Sequence, residues 1–214
     1  ASDVYKRQVL EQYPDGTLFV DLFGGSGLLS HITKSLKPHS TVIYNDFDNY
    51  RFRMKHIPQT NQLLADIREM VGNSVPRHKI IKGELRERIF SRIEQEENST
   101  GYVDFITLSS SILFSMKYKL SVQDMRKEAL YNNIRKTGYP ECTDYLEGLE
   151  IVSCDYKEVF NRYKDIPGVV FLVDPPYLST DVGTYNMYWN MADYLDVLNV
   201  LKGHSYVYFC LLYT

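Results

Sequence analysis

The sequence has little cysteine: three residues, Cys142, Cys154 and Cys210, lie too far apart for a disulfide framework or a zinc-binding spacing. That scarcity excludes the small disulfide-stapled secreted class and fits a reducing, cytoplasmic setting. Histidine is equally thin. His31, His39, His56, His78 and His204 are scattered, so no metal centre is expected. Long hydrophobic runs are absent. No segment approaches the ~18 apolar residues of a membrane span, and no signal-peptide pattern opens the chain, so a soluble protein without a membrane partner is expected. Excess charge of either sign is also missing, with a formal net charge of −3. This excludes a uniformly basic nucleic-acid coat and leaves only a local patch possible. Neither internal repeats nor low-complexity segments occur. A chain of 214 residues accommodates one sizeable α/β core with room for an inserted subdomain.

What is present centres on Val169 to Tyr177, VVFLVDPPY. Five apolar, mostly β-branched residues run directly into Asp174, Pro175, Pro176 and Tyr177. Such a run reads as a buried parallel strand, and two prolines that cannot continue a ladder end it. The prolines also stiffen the backbone that displays Asp174 and Tyr177. An acceptor and a flat ring are thereby fixed together where a strand stops.

Earlier in the chain, Thr17 to Leu22 predicts a strand, and Phe23, Gly24, Gly25, Ser26 and Gly27 follow it. Leu28, Leu29, Ile32 and Leu36 then recur at helical spacing. Glycines at a strand-to-helix junction permit positive φ and close approach of a ligand to the main chain, and the helix start offers unpaired N–H groups. The dinucleotide fingerprint is incomplete, because Ser30 stands where its third glycine belongs. Thr41 to Tyr44 predicts a second strand that ends at Asn45, Asp46, Phe47 and Asp48. An acid at that place is where nucleoside-binding α/β folds hold ribose hydroxyls, which points to Asp46, with Asp48 in reserve. Each acid has a second reading as the N-cap of the next helix.

From Asp48 to Leu149 the pattern is helical: Asp48 to His56, a break at Pro58, Asn61 to Val71, Gly83 to Gln95, and Ser121 to about Lys136. No strand is expected before Ile151. A block this long exceeds an ordinary crossover and predicts an inserted subdomain. Within it, Lys117 to Lys136 carries six basic residues against two acidic ones. That local excess marks either a phosphate-contacting surface or a solvated helix face. Glu150 to Cys154 gives a third strand ending at Asp155, Val169 to Val173 a fourth, and Ser205 begins a fifth. In the order 3-2-1-4-5, the glycine loop and the Asp-Pro-Pro-Tyr segment meet where strand order reverses, with Asp46 and Asp155 lining the cofactor half.

On these motifs the chain resembles the Dam-like, D12-class family of DNA N6-adenine methyltransferases. The family's Asp-x-Phe-x-Gly-x-Gly stands here as Asp21, Phe23, Gly25 and Gly27, and its Asp-Pro-Pro-Tyr as Asp174, Pro175, Pro176 and Tyr177. The likeness implies a Rossmann-like S-adenosylmethionine-dependent sheet over residues 9–72 and 150–209, with its terminal strands missing. A helical target-recognition insert would occupy 73–149. It implies S-adenosylmethionine as cofactor, held by Asp21, Phe23, Gly25 and Gly27, with Asp46 on its ribose and Asp155 on its adenine amine. Asp174 to Tyr177 would be catalytic. Double-stranded DNA with a flipped adenine is the implied partner, and the complete enzyme is expected to be monomeric. The family's Gly-x-Lys segment is not found in Val9 to Gly16. Amino-group methylation of RNA or protein glutamine is the alternative chemistry, and a non-catalytic nucleic-acid-binding fragment the alternative class. Residues 1–8 and 210–214 resemble translated adaptor sequence and are expected to be non-native ends.

Overall fold

The computed structural model describes residues 2–114, 118–142, 144–175 and 191–209. It divides into two compact units, residues 1–52 with 143–214, and residues 53–142.

In the first unit, three short, mostly apolar runs form the inner strands: β1 (Phe19–Asp21), β2 (Val42–Asn45) and β6 (Val170–Val173), all buried throughout. Continuous burial, without alternation, is what a parallel sheet covered on both faces requires. With β5 (Glu150–Val152) and β7 (Ser205–Tyr208) they make a five-stranded sheet in the order β5-β2-β1-β6-β7. Every pairing is parallel. The order reverses between β1 and β6, where Asp21 lies opposite Leu172.

One face packs Val20, Leu22, Ile43, Phe171 and Val173 against Val159 and Phe160 of α8 (Tyr156–Tyr163) and Val197 and Leu201 of α9 (Met191–Leu201). The other packs Phe19, Val42, Val170 and Leu172 against Leu10 of α1 (Ser2–Glu11) and Leu29 and Ile32 of α2 (Leu28–Leu36). Adjacent residues of a strand thus serve opposite faces, as the pleat dictates.

The second unit encloses its own core of Leu63, Leu64, Ile67, Ile89, Phe90, Ile93, Leu108, Met125 and Leu130. Its principal helices are α4 (Ile57–Val71), α5 (Gly83–Thr100) and α6 (Phe105–Ile112). Three expectations are corrected here. The break expected at Pro58 falls earlier, at His56, and Pro58 itself lies in the first turn of α4, where a missing N–H costs nothing. The helix expected over Ser121 to Lys136 is confined to α7 (Val122–Arg126), although Ser121 caps it as expected, accepting from the Asp124 N–H at 3.2 Å. Tyr131, Asn132 and Asn133 are weak helix formers, and tertiary pairing prevails over them. The strand-free expectation fails with them, since β3 (Ile80–Ile81) pairs antiparallel with β4 (Leu130–Tyr131). The division at residues 52 and 53 falls within α3 (Tyr50–Lys55).

Among the described residues, no helix is long and apolar enough to cross a membrane, and no group of three His, Cys, Asp or Glu side chains is placed to hold a metal ion.

Candidate active site

The glycine loop leaves β1 and turns at once into α2. The Gly27 N–H donates to the Gly24 carbonyl at 2.7 Å, closing a tight turn, and Gly25 and Gly27 have φ of 49° and 78°. Both are in the left-handed region that glycine adopts without penalty. Gly24 is required for a different reason. A Cβ there would stand 2.3 Å from two ring carbons of Tyr44 and 2.7 Å from the Asn45 carbonyl oxygen. Phe23 directs its ring to Tyr156, with centroids 4.9 Å apart.

Asp21 ends β1 beneath this loop and is wholly buried. Ser30, on α2, donates its hydroxyl to Asp21 Oδ2 at 2.7 Å, while Oδ1 has no hydrogen-bond partner. Burial pushes the Asp21 carboxyl up to about 7, and the charge of nearby Asp174 acts in the same direction. The Ser30 hydroxyl, the Phe23 N–H and Lys6 oppose it.

Asp46 follows β2 and is buried, whereas Asp48 is exposed. The Asp46 carboxylate accepts from the Tyr50 N–H at 2.5 Å, the Arg51 N–H at 3.1 Å and the Tyr44 hydroxyl at 3.0 Å. Its helix-capping reading is therefore observed, for α3. Asp155 is exposed after β5 and caps α8, accepting from the Lys157 N–H at 2.8 Å. Both acids sit at carboxyl ends of neighbouring strands.

Asp174 and Pro175 follow β6 directly. Asp174 pairs with Lys6 of α1 at 2.8 Å. That lysine belongs to the stretch expected to be non-native, and its reach to Asp174, 168 residues on, carries no local signal. Pro176 and Tyr177 lie outside the described residues. The β1–β6 pairing sets Asp174 two residues beyond the partner of Asp21, so the glycine loop and the start of the Asp-Pro-Pro-Tyr segment share one edge of the sheet.

Sequence reasoning missed Ser30, Tyr44 and Asn45. Asn45 ties three strand ends together: its side-chain amide donates to the Leu22 and Cys154 carbonyls at 3.0 and 2.9 Å, and its oxygen accepts from the Cys154 N–H at 3.1 Å. A lone Asn after an apolar run signals nothing beyond a turn. Ser30 was noticed only as a glycine that was absent.

In the second unit, the local charge excess over Lys117 to Lys136 is offset in part by two acids from outside it, Glu87 and Glu94. Arg126 pairs with Glu87 and Glu94 at 2.6 and 2.9 Å, Lys119 with Glu128 at 2.7 Å, and Lys127 with Asp124 at 2.7 Å. Arg135 covers the Tyr139 ring at 4.3 Å. Lys117 lies outside the described residues.

A parallel α/β sheet with a glycine loop after its first strand and acids at the following strand ends is consistent with the methyltransferase fold. The chain matches the D12 class N6 adenine-specific DNA methyltransferase family over residues 5–206, and it belongs to that family. It is also 37% identical over 197 residues to a Haemophilus influenzae protein described as "Putative methyltransferase". That match covers 91% of this chain and 65% of the relative's length.

Proposed function

We propose that this chain forms the catalytic part of an enzyme that methylates the N6 amino group of adenine in double-stranded DNA, with S-adenosylmethionine as donor. The observation that carries the reading is the sharing of one sheet edge by the glycine loop after β1 and Asp174-Pro175 after β6. Its support from relatives is the family match. In strand order 3-2-1-4-5 this edge is the topological switch point, where such sheets bind their ligands.

The residues suit the cofactor. Gly25, with only the Phe23 carbonyl oxygen within 4 Å of where a Cβ would stand, permits close approach of a ligand to the main chain, and the Asp21 oxygen without a partner suits a cationic or N–H group. Asp46 and Asp155 offer acceptors for ribose hydroxyls and for the adenine amine. When bound, S-adenosylmethionine supplies a methyl group on a positively charged sulfur. Its lack of a pyrophosphate fits a loop without the third glycine.

The chain's own part is recognition and positioning. Adenine N6 is a weak nucleophile because its lone pair is conjugated with the ring. Asp174 and the Pro175 carbonyl accept hydrogen bonds from the amine and favour its pyramidal form, and Tyr177 stacks on the base. The adenine is flipped out of the duplex to reach them, at a cost of a few kcal/mol that stacking offsets. Orientation and electrostatics account for most of the rate. The complete enzyme acts as a monomer, with the insert meeting DNA through cations other than Arg126, which is already shared by Glu87 and Glu94.

Calorimetric titration with S-adenosylmethionine tests the cofactor half. Asp46→Ala should weaken binding by one to two orders of magnitude, about 1.5–3 kcal/mol for a lost charged acceptor. Equal affinity in the variant would remove Asp46 from the site.

A further inference from the structure

Tyr44 stands under the glycine loop and beside Asp46 at once. Its ring is wholly buried, directly beneath Gly24. Its hydroxyl lies 2.8 Å from the Gly25 carbonyl oxygen and 3.0 Å from Asp46 Oδ1. A phenol has one proton to donate, so these two acceptors compete for it. Burial, and then the charge of Asp46, hold the phenol well above its ordinary value, so the proton stays on the oxygen at any physiological pH.

The lone pairs of Asp46 can be counted. A carboxylate offers about four acceptor sites. Oδ1 takes the Tyr50 N–H and the Tyr44 hydroxyl, and Oδ2 takes the Arg51 N–H. A single site is left while Tyr44 donates to Asp46. Two are left when it donates to Gly25, and a vicinal diol has two hydroxyls to place.

We propose that Tyr44 is a positioning residue for a ribose diol: its hydroxyl satisfies Asp46 in the free protein and turns to the Gly25 carbonyl when the diol arrives. The turn opens the second acceptor site and fastens the glycine loop in the same motion. This rests on the reading of Asp46 as the ribose acceptor. It also sets a cost, since a hydrogen bond to a carboxylate is roughly twice as strong as one to a neutral carbonyl. Tyr44 therefore tempers the preference for a diol.

The test compares S-adenosylhomocysteine with its 2′,3′-dideoxyribose analogue by calorimetry. The wild-type chain should prefer the diol, and Tyr44→Phe, which keeps the ring, should raise that preference by about three- to tenfold. In wild-type protein labelled with ¹³C at glycine carbonyls, the Gly25 resonance should move with the diol ligand and stay in place with the dideoxy one. A purely structural tyrosine would change affinity for both ligands alike, leaving the ratio and the Gly25 contrast flat, and that result overturns the inference alone. Absence of any diol preference in the wild type overturns the Asp46 reading and the inference together.

Discussion

Asp21 shows how a motif residue can hold a chemical role that its letter does not reveal. As a free side chain its carboxyl would titrate near 3.8, and in the fold it titrates near 7. The folded state therefore binds the proton more tightly than the unfolded chain. The stability this group contributes is fully present below about 3.8 and is lost as pH rises through about 7. Asp21→Asn keeps the shape and removes the titration. Relative to the variant, the wild type should lose on the order of 2–3 kcal/mol of stability between pH 5 and pH 8. Urea unfolding at both pH values measures this, and parallel pH profiles would mean that Asp21 is ionised throughout.

At the scale of elements, the strand ends are joined by side chains as well as by ladders. Asn45 makes three buried or part-buried hydrogen bonds to Leu22 and Cys154. Asn45→Ala leaves two carbonyls and one N–H without partners and should destabilise the fold by about 2–4 kcal/mol. A shifted urea midpoint with an unchanged slope would be the signature, and a change below 1 kcal/mol would show that the strand ends do not depend on it.

The strands themselves were legible in the sequence because each inner one opens on a run of apolar residues, and β6 announced its end with prolines. The glycine loop was legible because only glycine tolerates its backbone and its contact with Tyr44. The second unit was read less well. Over Tyr131 to Asn133 the local preference is weak, so pairing with Ile80 and Ile81, which lie some 50 residues earlier, decided the outcome. The pairing of Arg126 was hidden for the same reason, since Glu87 and Glu94, which meet it, come from α5.

At the scale of the whole molecule, β7 is an edge strand of the sheet formed by the described residues. Among the described residues this strand pairs only with β6, and Tyr206 on it is 40% exposed. An open edge with an exposed aromatic is a template for a second chain. The protein as given should therefore associate as its concentration rises, and Tyr206→Lys should suppress this without changing the melting temperature by more than a few degrees. Sedimentation showing a monomer at all concentrations would count against an open edge.

The central claim is methyl transfer to adenine N6, and it is tested most directly by incubating duplex DNA with labelled S-adenosylmethionine and identifying the labelled nucleoside. The chain spans 65% of its relative's length, so the assay belongs on the protein as given and on a version completed to that length. The label should appear as N6-methyladenine in the completed protein and weakly in the shorter one. Asp174→Ala should abolish it while leaving cofactor affinity nearly unchanged. Label on another base, on RNA or on protein, or wild-type turnover by Asp174→Ala, would contradict the account.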